Sequence, residues 1–138
     1  MPRHAGLAGA RHFSDLIAWQ LADELRKDVI ALTRRPLWAD DRRLRSQTEA
    51  AMGSVCRNIA EGFGCESHTE FARFLEISRR SLNEVQDCLR EAEQKGYVST
   101  AEVSPLRALA RRAYPAINNL RSYLRRNPSH PRTDKPRR

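Results

Sequence analysis

Six polar residues near the carboxyl end of the chain have types and spacing that could bind phosphate. They recur every three or four positions, so in a helix they would form one stripe. Arginine binds phosphate oxygens in pairs, and tyrosine or arginine planes can stack on unpaired bases. The alternative is a solvated arginine face, because the chain uses arginine in place of lysine nearly everywhere. The six residues are Arg107, Arg111, Tyr114, Asn118, Arg121 and Arg125, and Arg112 and Arg126 flank them.

The net charge of +8 is concentrated in the same part of the chain. Residues 1–99 contain 15 basic and 15 acidic residues, whereas residues 100–138 contain ten basic and two acidic residues. A positive end on a neutral body favours a polyanionic partner such as RNA or DNA, although a solubilising tail would carry the same charge. Residues 127–138 are rich in proline and are predicted to form a disordered basic tail, with Arg132, Lys135, Arg137 and Arg138.

The histidines and cysteines do not form a recognisable metal or catalytic site. No histidine has a glutamate three positions before it, which excludes the Glu-x-x-His pairs of di-iron bundles. Cys65 and His68 with Cys56 supply too few zinc ligands at recognisable spacing, so we interpret Cys56 and Cys88 as core residues and Cys65 as a loop residue. Neither Cys65 nor Glu61 has the base and orienting group that nucleophilic catalysis requires. We therefore predict a protein that is not an enzyme, with no metal, cofactor or evident small-molecule substrate.

Four amphipathic helices would position these residues. Apolar residues at steps of three and four predict helices over about residues 14–33, 41–61, 67–96 and 99–126. The third is the most regular, with Ser67 and Glu70 at capping-box spacing and Gly96 as its stop. Helices of this length with short connections predict an all-α fold, an antiparallel up-down-up-down four-helix bundle. The bundle would occupy residues 13–126, between a flexible leader at 1–12 and the tail at 127–138.

The ends of the other helices are predicted from capping and helix-breaking residues. Pro36 stops the first helix, and Gly62 and Gly64 close the second. Pro115 should kink or break the last helix. The predicted N-caps are Ser14, then Asp40 or Asp41, and then Ser99, with Ser104-Pro105 as a competing start of the last helix.

One apolar group on the first helix lies away from the main stripe of that helix. Leu16, Trp19 and Ile30 fall more than about 100° from the centre of the stripe. Charged residues share their sector, which favours an interface with another copy, where tryptophan is enriched. The alternative is that Trp19 folds over the edge of its own core. The stripe itself, predicted to face inward, contains Ile17, Ala18, Leu21, Leu25, Val29 and Leu32.

Several short motifs between residue 13 and about residue 124 follow the pattern of a known family. They are Phe13-x-x-Leu16-Ile17-x-Trp19-Gln20, Asn58-Ile59-Ala60-Glu61-Gly62, Phe71-x-x-Phe74-Leu75-x-Ile77 and Gly96-Tyr97. On these residues the chain resembles the four-helix bundle proteins encoded within intervening sequences of bacterial 23S ribosomal RNA genes, sometimes labelled S23 ribosomal protein. We treat Asn58, Glu61 and Gly62 as a structural motif, in which the polar pair caps backbone groups or bonds a neighbouring helix.

The resemblance implies a ring-like homo-oligomer, a pentamer. The chain is also similar in architecture to the accessory protein of diversity-generating retroelements, a basic pentamer thought to bind nucleic acid. Basic residues commonly follow the position of Gln47 in the family, but this chain has Glu49 and Ala50 there. In this chain the positive charge lies on the last helix and the tail, so we expect the nucleic-acid surface there and not on the second helix.

We expect a cytoplasmic, non-enzymatic homo-oligomer that binds RNA or DNA. The alternative is a protein-interaction scaffold whose positive charge is incidental. The amino terminus has no apolar signal region, and no apolar run approaches the roughly 20 residues that span a bilayer, so we expect no membrane association. The expected nucleic-acid contacts are Arg107, Arg111, Tyr114, Arg121, Arg125 and Arg126.

Overall fold

The computed structural model describes residues 7–128, and over this range the protein is all-α, as predicted. The first six residues of the leader and residues 129–138 of the tail lie outside the described residues. A short 3₁₀ turn, Phe13–Asp15, precedes the first α-helix. The α-helices are α1 (Ile17–Thr33), α2 (Pro36–Asp40), α3 (Arg42–Gly64), α4 (His68–Gln94) and α5 (Thr100–Arg126).

The four long helices pack around one apolar core. α3 packs against α1 and α4, and α5 packs against the same two helices, so α1 and α4 lie at opposite corners. Burying a large apolar side chain contributes roughly 1.5–3 kcal/mol, and every long helix supplies several. The fully buried side chains include Leu25, Leu44, Met52, Ile59, Phe71, Leu75, Leu82, Leu89, Ile117 and Leu120.

The first helix begins later than predicted, and Ser14 is not its N-cap. Instead His12 Nδ1 accepts the Ser14 backbone N–H at 3.3 Å, and Asp15 Oδ2 accepts the His12 backbone N–H at 3.1 Å. These polar groups close the 3₁₀ turn. α1 then starts after Leu16, which is extended and makes no side-chain cap. A single apolar stripe could not reveal this change from one helix type to the other.

Part of the predicted leader is packed against the core. Ala10 is buried, Leu7 is half-buried against the core, and the Ala10 N–H donates to Leu7 O at 3.1 Å. Residues 7–12 are therefore not a free extension in the structure.

Helix α2 was not predicted from the sequence. Pro36 occupies its first turn, where a missing N–H costs nothing, and Trp38 is completely buried with its ring 6.5 Å from the Tyr97 ring. A single turn is too short to show helical periodicity. The predicted capping role of Asp41 is confirmed, because its Oδ1 accepts the Leu44 N–H at 3.1 Å.

Helix α3 continues through Gly62, one of the two glycines that were predicted to close it, and ends at the other, Gly64. Gly62 is buried inside the helix and ends nothing. A Cβ atom at this position would lie 2.6 Å from Phe71 Cδ1 and 2.9 Å from Phe74 Cβ. Gly62 therefore permits the close approach of α4, and the helix ends only at Gly64, with Cys65 extended after it.

The predicted end of α4 is confirmed in atomic detail. The Gly96 backbone has φ +78°, which favours glycine. Its N–H donates to Glu93 O at 3.0 Å, and the Tyr97 N–H donates to Ala92 O at 2.9 Å. This is the Schellman pattern. At the other end, Ser67 Oγ accepts the N–H of the third helical residue at 3.1 Å, as its predicted capping role requires.

Helix α5 begins with the predicted capping box and is not broken by proline. Ser99 Oγ accepts the Glu102 N–H at 3.1 Å, and a Glu102 carboxylate oxygen accepts the Ser99 N–H at 2.9 Å. Pro115 lies inside the continuous helix, so of the two predicted effects, a kink or a break, the break does not occur. It is exposed, so water can reach the carbonyl that loses its helical partner.

Two residues at the start of α1 have roles opposite to those predicted. Leu16, expected at an interface between copies, is only 1% exposed and belongs to the core of its own chain. Ile17, expected to face inward, is 52% exposed. Trp19 and Ile30 are half-buried, and the Trp19 ring meets the Phe13 ring edge-on at 5.3 Å. The extended Leu16 backbone rotates these side chains relative to the continuous helix that was assumed.

Candidate nucleic-acid interface

Helix α5 carries six arginines and a single carboxylate, Glu102. Four of these arginines are exposed, and none of the four forms an ion pair with another residue in the range 7–128. Because no carboxylate neutralises them, their guanidinium groups can exchange counterions for phosphates. The four are Arg111, Arg112, Arg125 and Arg126.

The other two arginines of α5 bind carboxylates on α4. Arg107 Nη2 lies 2.8 Å from Glu93 Oε1, and Arg121 Nη1 lies 3.3 Å from Glu76 Oε1. Arg121 Nη2 also donates to Asn118 Oδ1 at 3.2 Å. The predicted stripe therefore runs along the boundary between α4 and α5, and part of its charge is already balanced by the protein.

Tyr114 is also held by α4. Its hydroxyl accepts a hydrogen bond from Arg79 Nη1 at 2.8 Å, and the Arg79 guanidinium carbon lies 6.0 Å from the centre of the Tyr114 ring. The side chain is half-buried. The structure thus brings the six stripe residues to one face but gives four of them intramolecular partners, namely Arg107, Tyr114, Asn118 and Arg121.

An open groove of about 660 Å³ lies between helices α4 and α5, beside the stripe of six polar residues on α5. Two of its arginines, Arg73 and Arg79, come from α4 and were not predicted as binding residues. The groove also contains Glu76, and Pro128 lies at its rim. Its lining residues are Thr69, Ala72, Arg73, Glu76, Arg79, Arg121, Arg125 and Pro128.

Glu76 is the centre of the charged contacts in the groove. Arg79 binds it with a fork, Nε to Oε1 at 3.2 Å and Nη2 to Oε2 at 2.8 Å, and Arg80 Nε reaches Oε2 at 3.2 Å. The hydrogen bonds from Arg79, then that from Arg80 and the nearby charge of Arg121, lower the pKa of Glu76 to about 2. The hydrogen bonding of Arg79 to Glu76, together with its hydrogen bond to Tyr114, raises the pKa of Arg79. The carboxylate is therefore ionised at neutral pH.

The sequence contained a signal for this missed half of the site. Arg73, Glu76 and Arg79 are three positions apart, so they share one face of α4, and acidic and basic residues at this spacing attract one another. This signal is easily missed for two reasons. Residues 1–99 have no net charge, and the apolar stripe is the most prominent pattern in the segment that forms α4.

The Asn58 of the family motif has a structural role. Its Nδ2 donates to Ser54 O at 2.8 Å and to Ser54 Oγ at 3.0 Å, and Ser54 Oγ lies 2.8 Å from Ser81 Oγ on α4. Glu61 is exposed. Both hydrogen bonds of Asn58 lie within α3, one of them to a backbone carbonyl, so Asn58 does not itself bond a neighbouring helix. It orients a serine that joins α3 to α4.

The cysteines lie where the sequence placed them. Cys56 and Cys88 are buried, and burial raises the pKa of the Cys56 thiol to about 11. Cys65 follows α3, and its thiol approaches Glu61 O at 3.6 Å. His68 Nδ1 forms a hydrogen bond of 2.9 Å with Asn127 O, which ties the start of α4 to the end of α5. Within residues 7–128, no three His, Cys, Asp or Glu side chains come together as metal ligands.

A sequence model of the 23S rRNA-intervening sequence protein family matches residues 14–119. The chain belongs to this family. The resemblance read from the sequence motifs is thereby confirmed over α1 to α4 and most of α5. The matched range ends before Arg121, Arg125 and Arg126, so the basic end of the chain lies beyond it. The comparison with curated proteins found no match.

No helix of the described part of the chain is long and apolar enough to cross a membrane.

Proposed function

We propose that this family member is a non-enzymatic protein that binds the phosphate backbone of RNA or DNA through α5 and the residues that follow it. The observation that supports the proposal is the set of four exposed arginines on α5 that have no ion-pair partner in residues 7–128. Arginine in this state gains most from phosphate, because no internal bond has to be broken first. The expected cytoplasmic location stays a prediction.

The predicted binding residues of α5 differ in their intramolecular partners. Arg107 and Arg121 are engaged with carboxylates of α4, and the Tyr114 hydroxyl is engaged with Arg79. We therefore assign to the four exposed arginines the phosphate contacts that need no donor already engaged within the protein. Single-stranded nucleic acid lowers log K by about 0.7 per neutralised phosphate for each tenfold rise in salt, so four contacts predict a slope of about −3.

The test is the binding of a labelled mixed-sequence RNA pool across a range of salt concentrations. The double variant Arg111→Gln/Arg112→Gln should reduce the magnitude of the slope by about 1.4, two contacts' worth. The matched control is Arg42→Gln/Arg57→Gln, because these α3 arginines are exposed and form no ion pair with a described residue. Equal losses in both double variants would show a general charge effect and contradict the assignment to α5. The absence of binding even at low salt would overturn the proposal.

The tail is tested separately by a chain that ends at Pro128. Asn127 and Pro128 are retained because Asn127 O contacts His68 and Pro128 lines the groove. A slope that disappears with residues 129–138 would move the contacts from α5 to the tail.

We also propose that the long helices run up-down-up-down. Cross-helix contacts support this direction, because residue numbers rise along one helix as they fall along its neighbour. Arg43 pairs with Glu91 and Ser54 with Ser81 between α3 and α4. Between α4 and α5, Glu93 pairs with Arg107 and Glu76 with Arg121.

The proposed particle is a homo-oligomer, the pentamer that the resemblance implies. Trp19 and Ile30 are half-buried and leave apolar surface on α1 for another copy, whereas Leu16 does not. We expect Trp19→Ala to lower the particle mass measured by light scattering, with the helical circular dichroism retained. An unchanged mass would contradict the assignment of Trp19 to the interface.

A further inference from the structure

We infer that the groove between α4 and α5 binds a phosphate group. It brings four guanidinium groups and one carboxylate together, a formal charge of +3. This inference adds a specific phosphate site to the proposed function. It rests on that function only in taking the phosphate to come from the end or the backbone of a nucleic acid. The four arginines are Arg73, Arg79, Arg121 and Arg125.

Two of the four guanidinium groups are fixed in place before any ligand arrives. Arg79 is held by the Glu76 fork and by the Tyr114 hydroxyl, and Arg121 is held by Glu76 and Asn118. A fixed guanidinium loses little side-chain entropy on binding, so its remaining donors act at low cost. Arginine has five N–H donors, and the hydrogen bonds of Arg79 to residues 7–128 use three of them.

One buried donor in the groove has no partner. The Nε–H of Arg121 is shielded from solvent and makes no hydrogen bond within the described residues. An unsatisfied buried donor is costly, and for a charged group the cost is higher. The side chain as a whole is 16% exposed and lines the groove. A bond from the Nε–H to an anion in the groove therefore requires a small shift of the side chain, and that bond would satisfy the buried donor.

The other two guanidinium groups are free to close on a ligand. Arg73 and Arg125 are exposed and form no ion pair with a residue in the described range. They complete a cradle with two fixed and two adaptable arginines. A phosphate monoester carries about −1.5 to −2 charges at neutral pH and three acceptor oxygens, which suits a cradle of this charge.

The carboxylate of Glu76 does not exclude an anion. Both of its oxygens accept bonds from arginines, namely Arg79 and Arg80, and a third, Arg121, lies close to Oε1. Its negative charge is therefore shared by three positive groups, and the groove as a whole stays positive. Glu76 acts as a positioning residue that fixes Arg79 and Arg121 relative to one another.

Titration with inorganic phosphate tests this inference. The Nε–H resonances of the arginines are followed by NMR at constant ionic strength, with chloride as the competing anion. The expected result is a saturable shift at Arg121 and Arg79. Shifts of similar size at all exposed arginines, or no shift in the groove, would overturn it.

The matched variants locate the binding. Arg73→Gln/Arg125→Gln should weaken phosphate binding by at least about tenfold, because it removes two charge-assisted contacts. The control Arg42→Gln/Arg57→Gln makes the same change of charge on α3 and should weaken binding by less than about twofold, as screened surface charges do. An equal loss in both would contradict a site in the groove. Neither pair removes a described ion pair, so both variants are expected to fold.

A third variant separates geometry from charge. Arg121→Lys keeps the positive charge but removes the buried Nε–H and the planar fork, so we expect several-fold weaker phosphate binding with an unchanged thermal midpoint within about 2 °C. Unchanged affinity would show that only the electrostatic field of the groove attracts anions and would overturn the assigned cradle.

The source of the phosphate is distinguished by comparing inorganic phosphate with the mixed-sequence RNA pool. Phosphate binding in the groove without salt-dependent RNA binding would support this inference, point to a small phosphorylated molecule and remove the proposed function. RNA binding through α5 with no phosphate response at Arg121 would leave the proposed function and overturn this inference alone.

Discussion

The two sides of α4 are built from different chemistry. Against α3 the contact is close and uses small residues, with Gly62 under Phe71 and with Ser78 Oγ donating to Val55 O at 2.8 Å. Against α5 the buried residues are flanked by ion pairs, those of Arg107 with Glu93 and of Arg121 with Glu76, which remain partly exposed. A partly exposed ion pair, Arg43 with Glu91, also flanks the α3 side. The two sides therefore differ in how closely they pack, because the α3 side has a glycine contact with no room for a Cβ atom, whereas the α5 side has two ion pairs beside an open groove.

This difference separates the part of the molecule that maintains the fold from the part that can exchange partners. Close packing has no alternative partner, because any added atom collides with a rigid neighbour. A partly exposed ion pair contributes little to stability, and its arginine can share its donors with an incoming anion. The charged side is therefore the one on which a ligand site can form without unfolding the protein.

The largest expected effect on the free energy of unfolding comes from disrupting the close packing between α3 and α4. We expect Gly62→Ala to lower the free energy of unfolding by about 2–3 kcal/mol, because its Cβ would collide with Phe71 and Phe74. Gly64→Ala is the matched control, since within residues 7–128, apart from its chain neighbours and the backbone of its own helical turn, no atom lies within 4 Å of a Cβ there. The control should be neutral or stabilising by up to about 1 kcal/mol through helix propensity. Urea unfolding measures both, and equal effects would contradict the role assigned to Gly62.

A smaller effect tests the buried hydroxyl on the same side. Ser78 is fully buried and donates across to α3, so Ser78→Ala should cost about 1 kcal/mol. Ser46→Ala, at an exposed position, should change the unfolding free energy by less than about 0.5 kcal/mol. If the two variants unfold at the same urea concentration, the Ser78 hydrogen bond makes no net contribution to the free energy of unfolding.

The ion pairs of Glu76, on the side of α4 that faces α5, should make the free energy of unfolding depend on pH in the acid range. The pKa of Glu76 is lowered from 4.5 to about 2, so the folded state binds this proton more weakly than the unfolded state does. The contribution is therefore complete above about pH 4.5 and is lost as the pH falls toward about 2. Glu76→Gln should reduce stability at pH 7 by about 1 kcal/mol or less and should flatten the acid slope.

The control for this pH dependence is Glu66→Gln, because Glu66 is exposed and forms no ion pair with another described residue. We expect it to leave the slope unchanged. Asp41, whose pKa is lowered from 3.8 to about 2 by its bonds to Leu44, Tyr97 and Lys95, adds an acid-labile contribution that both variants retain. An acid slope that does not respond to Glu76→Gln would show that other carboxylates dominate.

The smallest expected effect separates paired from unpaired arginines on α5. Arg107→Gln removes the ion pair with Glu93 and should cost about 0.5 kcal/mol, whereas Arg111→Gln should cost almost nothing. Nucleic-acid binding should show the reverse order, with the larger loss for Arg111→Gln. If the same variant has the larger effect in both measurements, the division between structural and ligand-binding arginines is wrong.

Much of the fold could be predicted because the relevant forces are local. The helical stripes, the Ser67, Asp41 and Ser99 caps and the Gly96 stop depend on residues within a few positions of one another, and apart from Ile17 in the stripe of α1 the structure confirms them. Errors occurred where local rules allowed two outcomes. Glycine commonly ends a helix, so residue type alone predicts a stop at Gly62. Only the close approach of α4 explains why Gly62 lies inside the helix instead.

The candidate site was only half predicted for the same reason. The stripe on α5 has a period that can be read along one helix, but its division into paired and exposed arginines depends on α4. Arg73 and Arg79 join Arg121 and Arg125 because two helices pack with these faces together. Contacts between residues some 40 positions apart leave no periodic trace in either helix.

The sequence by itself determined the four long helices, the family and the basic end of the chain, since composition and spacing of three or four residues are properties of single segments. The tertiary structure decided which arginines are neutralised, where the groove lies, and why Gly62 has no side chain. Those features depend on the distance between atoms of different helices. That distance is set by the packing of the whole core.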